Sequence, residues 1–207
     1  MVPGGKKPAA ELVSGLAKSY DLMNYDIAML AQDEANYFGH LGVNVDQTRN
    51  AAKDAPFTKV KTSSGDSIGF IRFPSLRKGH DAPAEGIIRE ITSLVKKHQD
   101  EVKLLIGLSD WGWAAEREYL AQSPEYTPDF LFGSGYGSGV NGRVEADGRC
   151  VWVRPYDKGR TINEVRIFSW PDRSQPFVWE EPNAVMSLSV GLGDNYADNP
   201  DVSAILH

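Results

Sequence analysis

Apolar residues Leu12, Val13, Leu16, Ala17, Tyr20 and Met23 recur at helical spacing, so a helix is expected from Ala9 to Met23, closed by Asn24 as a left-handed cap. Next comes Asp26-Ile-Ala-Met-Leu-Ala31, an apolar run without polar alternation, which fits a buried parallel strand. Lys59–Thr62 and Ile68–Phe73 flank a Gly65-containing turn and read as a hairpin. From Ala84, Ile87, Ile88, Ile91, Leu94 and Val95 keep a helical period, and Lys96, Lys97 and His98 stand where the helix dipole favours cations. Val102–Leu108 is a second buried strand, Ala114–Ala121 a helix, and Asp129–Phe132 a short strand entering the glycine-rich stretch Gly133–Gly139. Val151–Arg154 and Ile162–Phe168 read as alternating strands around Pro155–Arg160. Val185–Val190 reads as a further strand, and Pro200–Leu206 as a closing helix. The order is that of an α/β chain with some antiparallel strands.

Length and composition narrow the picture. With 207 residues, 41% hydrophobic and 24% charged, the chain suits one globular domain. The expected division is a disordered lead-in over 1–8, a domain over 9–170, and a tail over 171–207 packing on that domain. A net charge of −6 argues against a nucleic-acid partner, and no run is long and apolar enough for a membrane span. The start carries no apolar stretch of the signal-peptide kind. Cys150 is the one cysteine, so internal disulfides and cysteine zinc sites are excluded, and its strand-like flanks suit a buried thiol. His40, His80, His98 and His207 show no ligand spacing and read as surface histidines.

In α/β sheets ligands gather at the carboxyl ends of strands. Three such ends are expected here: Gln32-Asp33-Glu34, Ser109-Asp110-Trp111, and Gly133–Gly139. Asp33, Glu34 and Asp110 could form an acid cluster or hold one hard cation, or simply cap helices. The glycine stretch could cradle an anion through backbone amides, or be a flexible loop. Trp111, Trp113 and Tyr136 could stack a ligand, dock a partner or plug a cavity.

These same three places carry a resemblance. Met23-Asn-Tyr-Asp-Ile-Ala-Met-Leu-Ala-Gln-Asp-Glu34, Leu104-Leu-Ile-Gly-Leu-Ser-Asp-Trp-Gly112 and Asp129-Phe-Leu-Phe-Gly-Ser-Gly-Tyr-Gly137 resemble, in order, segments of calcineurin-like metallophosphoesterases of the 5'-nucleotidase branch. The resemblance runs from about Ala9 to Phe168. It implies a layered mixed β-sheet with flanking helices, lacking the first family strands. In the family's pattern a metal Asn stands where this chain has Gln32, and a phosphate-side His where it has Asp33. Metal-site histidines stand at the positions of Asp110, Gly135 and Gly137. Gly193-Asp194 superficially resembles a missing family motif, which a circular permutation would explain.

A two-metal hydrolase needs clamped carboxylate and imidazole donors, and glycine supplies none. The expectation is therefore a vestigial site at Gln32, Asp33, Glu34, Asp110, Gly135 and Gly137, without metal or cofactor. The chain would be a catalytically inactive binding or assembly module, with a protein partner or a second copy, contacted through Trp111, Trp113 and Tyr136. The alternatives are a divergent phosphate-ester or 5'-nucleotide hydrolase using the acids and one metal, and a split protein whose first strands come from another chain. The resemblance suggests an extracytoplasmic setting. If Asp26–Ala31 is a strand, one of its edges faces absent family strands, to be covered by a second chain or by residues 171–207.

Overall fold

The computed structural model describes residues 10–23, 25–43, 56–76, 81–156 and 159–206. The lead-in over 1–8, the Asn24 cap, His80 and His207 lie outside the described residues. The chain forms two compact units, one of Met1–Ala52 with Asp194–His207, the other of Lys53–Gly193.

The smaller unit is helical. Helix α1 (Ala10–Leu22) and helix α2 (Gln32–His40) bury Val13, Ala17 and Phe38 together, with Tyr20, Leu30, Tyr37, Leu41 and Val43 packed around them. Helix α5 (Pro200–Leu206) packs on α1. That contact is close: a Cβ at Gly15 would stand 2.9 Å from the Ile205 carbonyl oxygen.

Asp26–Ala31 corrects the sequence expectation. It is not a strand of a sheet: Ala28 makes an isolated bridge, and Ile27–Ala31 are only half-buried. A short apolar run does not by itself separate a buried strand from an extended lead-in. Here Leu30 joins the helical cluster, and Ala31, with φ −61° and ψ 153°, enters α2. With no sheet strand at 26–31, the uncovered strand edge expected there does not arise.

The larger unit is α/β. Its six-stranded sheet has the order β1-β2-β3-β4-β6-β5. The strands are β1 (Phe57–Lys61), β2 (Ser67–Arg72), β3 (Leu104–Ser109), β4 (Phe130–Gly133), β5 (Val140–Glu145) and β6 (Cys150–Arg154). β2, β3, β4 and β6 run parallel, and the edge strands β1 and β5 run antiparallel to their neighbours. Every residue of β3 and β6 is buried, as expected of central strands covered on both faces. Helix α3 (Glu85–His98) connects β2 to β3, and helix α4 (Trp113–Ala121) connects β3 to β4.

The core lies between these helices and the sheet. Ile91 and Val95 of α3 and Tyr119 and Leu120 of α4 cluster with Ile71, Leu105, Leu131 and Trp152. Gly107 belongs to the same face: a Cβ there would stand 2.8 Å from the Phe73 ring and 3.1 Å from Pro128. Segment 171–185 brings Trp179, 2% exposed, onto Phe130 at 4.8 Å between ring centroids. Asp129, buried before β4, accepts from Leu105 N–H at 2.7 Å and from both ends of the Arg173 guanidinium at 2.9 and 2.5 Å.

Two further expectations change. β6 does not alternate and does not pair with the next strand. β7 (Thr161–Ile167) instead forms a separate antiparallel ribbon with β8 (Val185–Gly191). His98 is not on the surface; it is 8% exposed, stacked on Phe57 at 3.8 Å and bonded through Nδ1 to Glu101 at 3.0 Å. Cys150 is buried as expected, and burial pushes its thiol well above the ordinary range.

Two glycines test this packing. Gly107→Ala overpacks the helix–sheet interface and should cost about 1–3 kcal/mol, lowering Tm by several degrees. Gly86→Ala, in α3 with nothing within 4 Å, should hold or raise stability by up to about 1 kcal/mol. Thermal melts of the two variants check the pair.

Candidate functional site

The sequence-derived positions fall in both units. Gln32, Asp33 and Glu34 open α2 in the smaller one. Glu34 takes the capping role: its Oε2 accepts from Ala31 N–H at 3.0 Å, half of a capping box whose other half alanine has no side chain to make. Gln32 Nε2 donates to Asn36 Oδ1 at 2.9 Å along the same helix.

Asp110, Trp111, Trp113, Gly135, Tyr136 and Gly137 belong to the larger unit and meet at the carboxyl ends of β3 and β4. Backbone bonds knit the two loops together. Ser134 N–H donates to the Ser109 carbonyl at 2.8 Å, Gly112 N–H to Ser134 at 3.0 Å, and Trp113 N–H to Tyr136 at 2.9 Å. The glycines make this possible. Gly135 has φ +82°, and a Cβ there would stand 2.7 Å from the Asp110 carbonyl oxygen. Gly137 has φ +117°, and its Cβ would stand 2.5 Å from the Trp113 Cβ. At both positions any side chain meets a left-handed backbone and a neighbour already in place.

Beneath this loop lies a residue that sequence reading passes over. Arg154, at the end of β6, is 1% exposed. Its Nη1 donates to Ser134 O at 2.9 Å and its Nε to Ser138 O at 3.1 Å. Nη2 donates to Gly135 O at 3.2 Å and Tyr136 O at 3.4 Å. The glycine stretch is thus a cradle, but its carbonyls face a cation supplied by the chain itself. It is held, not slack, and these carbonyls offer an anion nothing.

The balancing charge is Glu116 of α4, fully buried. Its Oε2 accepts from Arg154 Nη1 at 2.6 Å and from the Trp152 indole N–H at 2.9 Å. Burial pushes the Glu116 carboxyl above the ordinary carboxylate range, while Arg154, Trp152 and Ser109 pull it down. Gly133 makes room for it: a Cβ there would lie 1.9 Å from Oε2. A signal for this pair is present in the sequence, since Glu116 sits within an otherwise apolar helix face and Arg154 ends an apolar strand. A buried charge is rare unless paired.

The aromatic residues divide. Trp111 packs on Phe73 at 5.0 Å and Tyr119 at 6.0 Å, and its indole N–H donates to Pro74 O at 2.7 Å. Trp113 lies 6.3 Å from Trp152 with the Arg117 guanidinium 4.7 Å over its ring. Both fill space beside the core. Tyr136, at the tip of the glycine loop, is 88% exposed. Asp110 is half-buried, and its Oδ2 accepts from Ser75 Oγ at 3.4 Å. Among the described residues no three His, Cys, Asp or Glu side chains converge as metal ligands.

No family model matches the chain, and no curated protein matches it.

Removing one partner of the Arg154–Glu116 pair leaves a buried charge unpaired. Arg154→Met alone should therefore cost about 3–5 kcal/mol. Adding Glu116→Met to it should return a large part of that loss. Urea unfolding of the two single variants and the double variant measures the coupling.

Proposed function

We propose that the larger unit is a catalytically inactive, metallophosphoesterase-like domain that serves as a binding or assembly module in a protein complex. The observation that carries this reading is the closure of the strand ends. At Gly135 and Gly137, where the resembling pattern has metal-site histidines, the backbone is left-handed and packed against Asp110 and Trp113. A ligand side chain at either position would displace the neighbouring loop. Arg154 also engages the loop carbonyls of Ser134, Gly135, Tyr136 and Ser138, which supports a structural rather than a ligand-binding role for this loop.

A sealed strand end still leaves a shaped surface. Tyr136 projects from a loop fixed at its base by four carbonyl contacts to one guanidinium. Aromatic residues presented on rigid supports suit the centres of protein interfaces. In this reading Asp110 is a loop-fixing residue paired with Ser75, and Gln32 and Glu34 serve α2.

The test is hydrolysis by the full chain with manganese, magnesium or zinc added, using a 5'-nucleotide and a generic phosphodiester as substrates. The expected outcome is no rate above the blank for any pairing. A metal-dependent rate that Asp110→Ala abolishes would overturn the proposal in favour of a divergent hydrolase.

A further inference from the structure

Among the described residues neither outer edge of the two-stranded β7–β8 ribbon has a partner strand. On β8 side chains meet that edge, Asn141 Nδ2 donating to Ser187 O at 3.4 Å and Ser187 N–H donating to Glu181 Oε1 at 3.4 Å, which leaves the edge of β7. Phe168 N–H donates to Ala184 O at 2.8 Å, and Leu192 N–H donates to Arg160 O at 2.8 Å. Hydrogen bonding alternates along an antiparallel pair. The even-numbered residues of β7 therefore turn their backbone groups to β8, and Thr161, Asn163, Val165 and Ile167 turn theirs to the opposite edge. Ile162, 57% exposed, and Phe168, 54% exposed, stand on the outward face with Glu164 and Arg166 between them. An edge of this kind is a template for another strand.

The sequence of β7 specifies which strand. Pair it antiparallel with a second copy about a two-fold axis through Val165. Asn163 then faces Ile167 of the other copy, and Val165 faces Val165. All of these are residues whose backbone groups point to the open edge, so the ladder closes. On the outward face Glu164 stands opposite Arg166 of the second copy, and Ile162 opposite Phe168. Within one copy Arg166 Nε already reaches Glu164 Oε1 at 2.6 Å, so the two charges share that face. Moving the axis to Glu164 or to Arg166 sets like charges directly opposite, which is destabilising.

We propose that β7 is a self-association edge. Two copies of this chain join their ribbons into one four-stranded antiparallel sheet, β8-β7-β7-β8, in the register centred on Val165. The interface is isologous, as a two-fold dimer requires. It rests on β7 alone and not on the reading of the strand-end loops. A single strand pairing sits at the small end of stable interfaces, so the dimer is weak and concentration-dependent.

The experiment is sedimentation velocity of the full chain over a dilution series. The wild type should show a monomer–dimer equilibrium. Glu164→Arg and Arg166→Glu, each alone, should raise the dissociation constant by roughly ten-fold or more, because both cross-strand pairs become repulsive. Mixing these two variants should give a heterodimer of wild-type strength. One copy is then basic at both positions and the other acidic at both, so each cross-strand pair is again of opposite charge. A wild type that stays monomeric at all concentrations, a dimer indifferent to the single reversals, or a mixture that fails to associate would each overturn the proposal.

Discussion

Arg154 carries a full charge that the fold has taken out of water. A guanidinium so buried is costly unless its donors are all met. Glu116 meets it from α4, and the carbonyls of Ser134, Gly135, Tyr136 and Ser138 meet it from the glycine loop. One side chain at the end of β6 thereby fixes the helix after β3 and the loop after β4. Gly133 must lack a side chain because Glu116 lies over it, and Trp152 contributes its indole N–H to the same carboxylate. The strand ends of the larger unit are organised from below by this group.

That arrangement changes what the glycines mean. Read as a sequence, Gly133–Gly139 is a flexible tract or a row of lost ligands. In the structure Gly135 and Gly137 let two loops approach within contact distance, backbone against backbone. The present residues gather the carbonyls of the glycine loop around one buried guanidinium.

Much of the larger unit is legible in the sequence. The β1–β2 hairpin, α3, β3, α4 and β4 carry strong periodic signals, and each stands where the pattern puts it. The failures have physical causes. Asp26–Ala31 is apolar enough for a strand, but its length does not say whether it meets a sheet or lines a helical cluster. Nearness in sequence pairs β6 with β7. Only the burial of every β6 residue, Arg154 included, shows that it belongs between β4 and β5. His98 reads as a solvated helix end, and its stacking on Phe57 depends on a strand roughly forty residues away. At the strand ends, Asp110, Trp111 and Tyr136 stand out by their place after buried strands. Arg154 and Glu116 show locally only as charges in apolar settings, which implies that each has a partner but does not say which residue, more than thirty positions distant, supplies it.

The role of the strand ends depends on whether the loop over Arg154 is a fixed part of the fold. Hydrogen exchange at single-residue resolution reads this directly through the amides of Gly112, Trp113 and Ser134. These donate to the carbonyls of Ser134, Tyr136 and Ser109. If the loop is locked, they exchange only with global unfolding of the larger unit, at the same free energy as the amides of β3. Exchange of the three amides by local opening, with β3 still protected, would contradict the account and return the strand ends to the status of an open, mobile site.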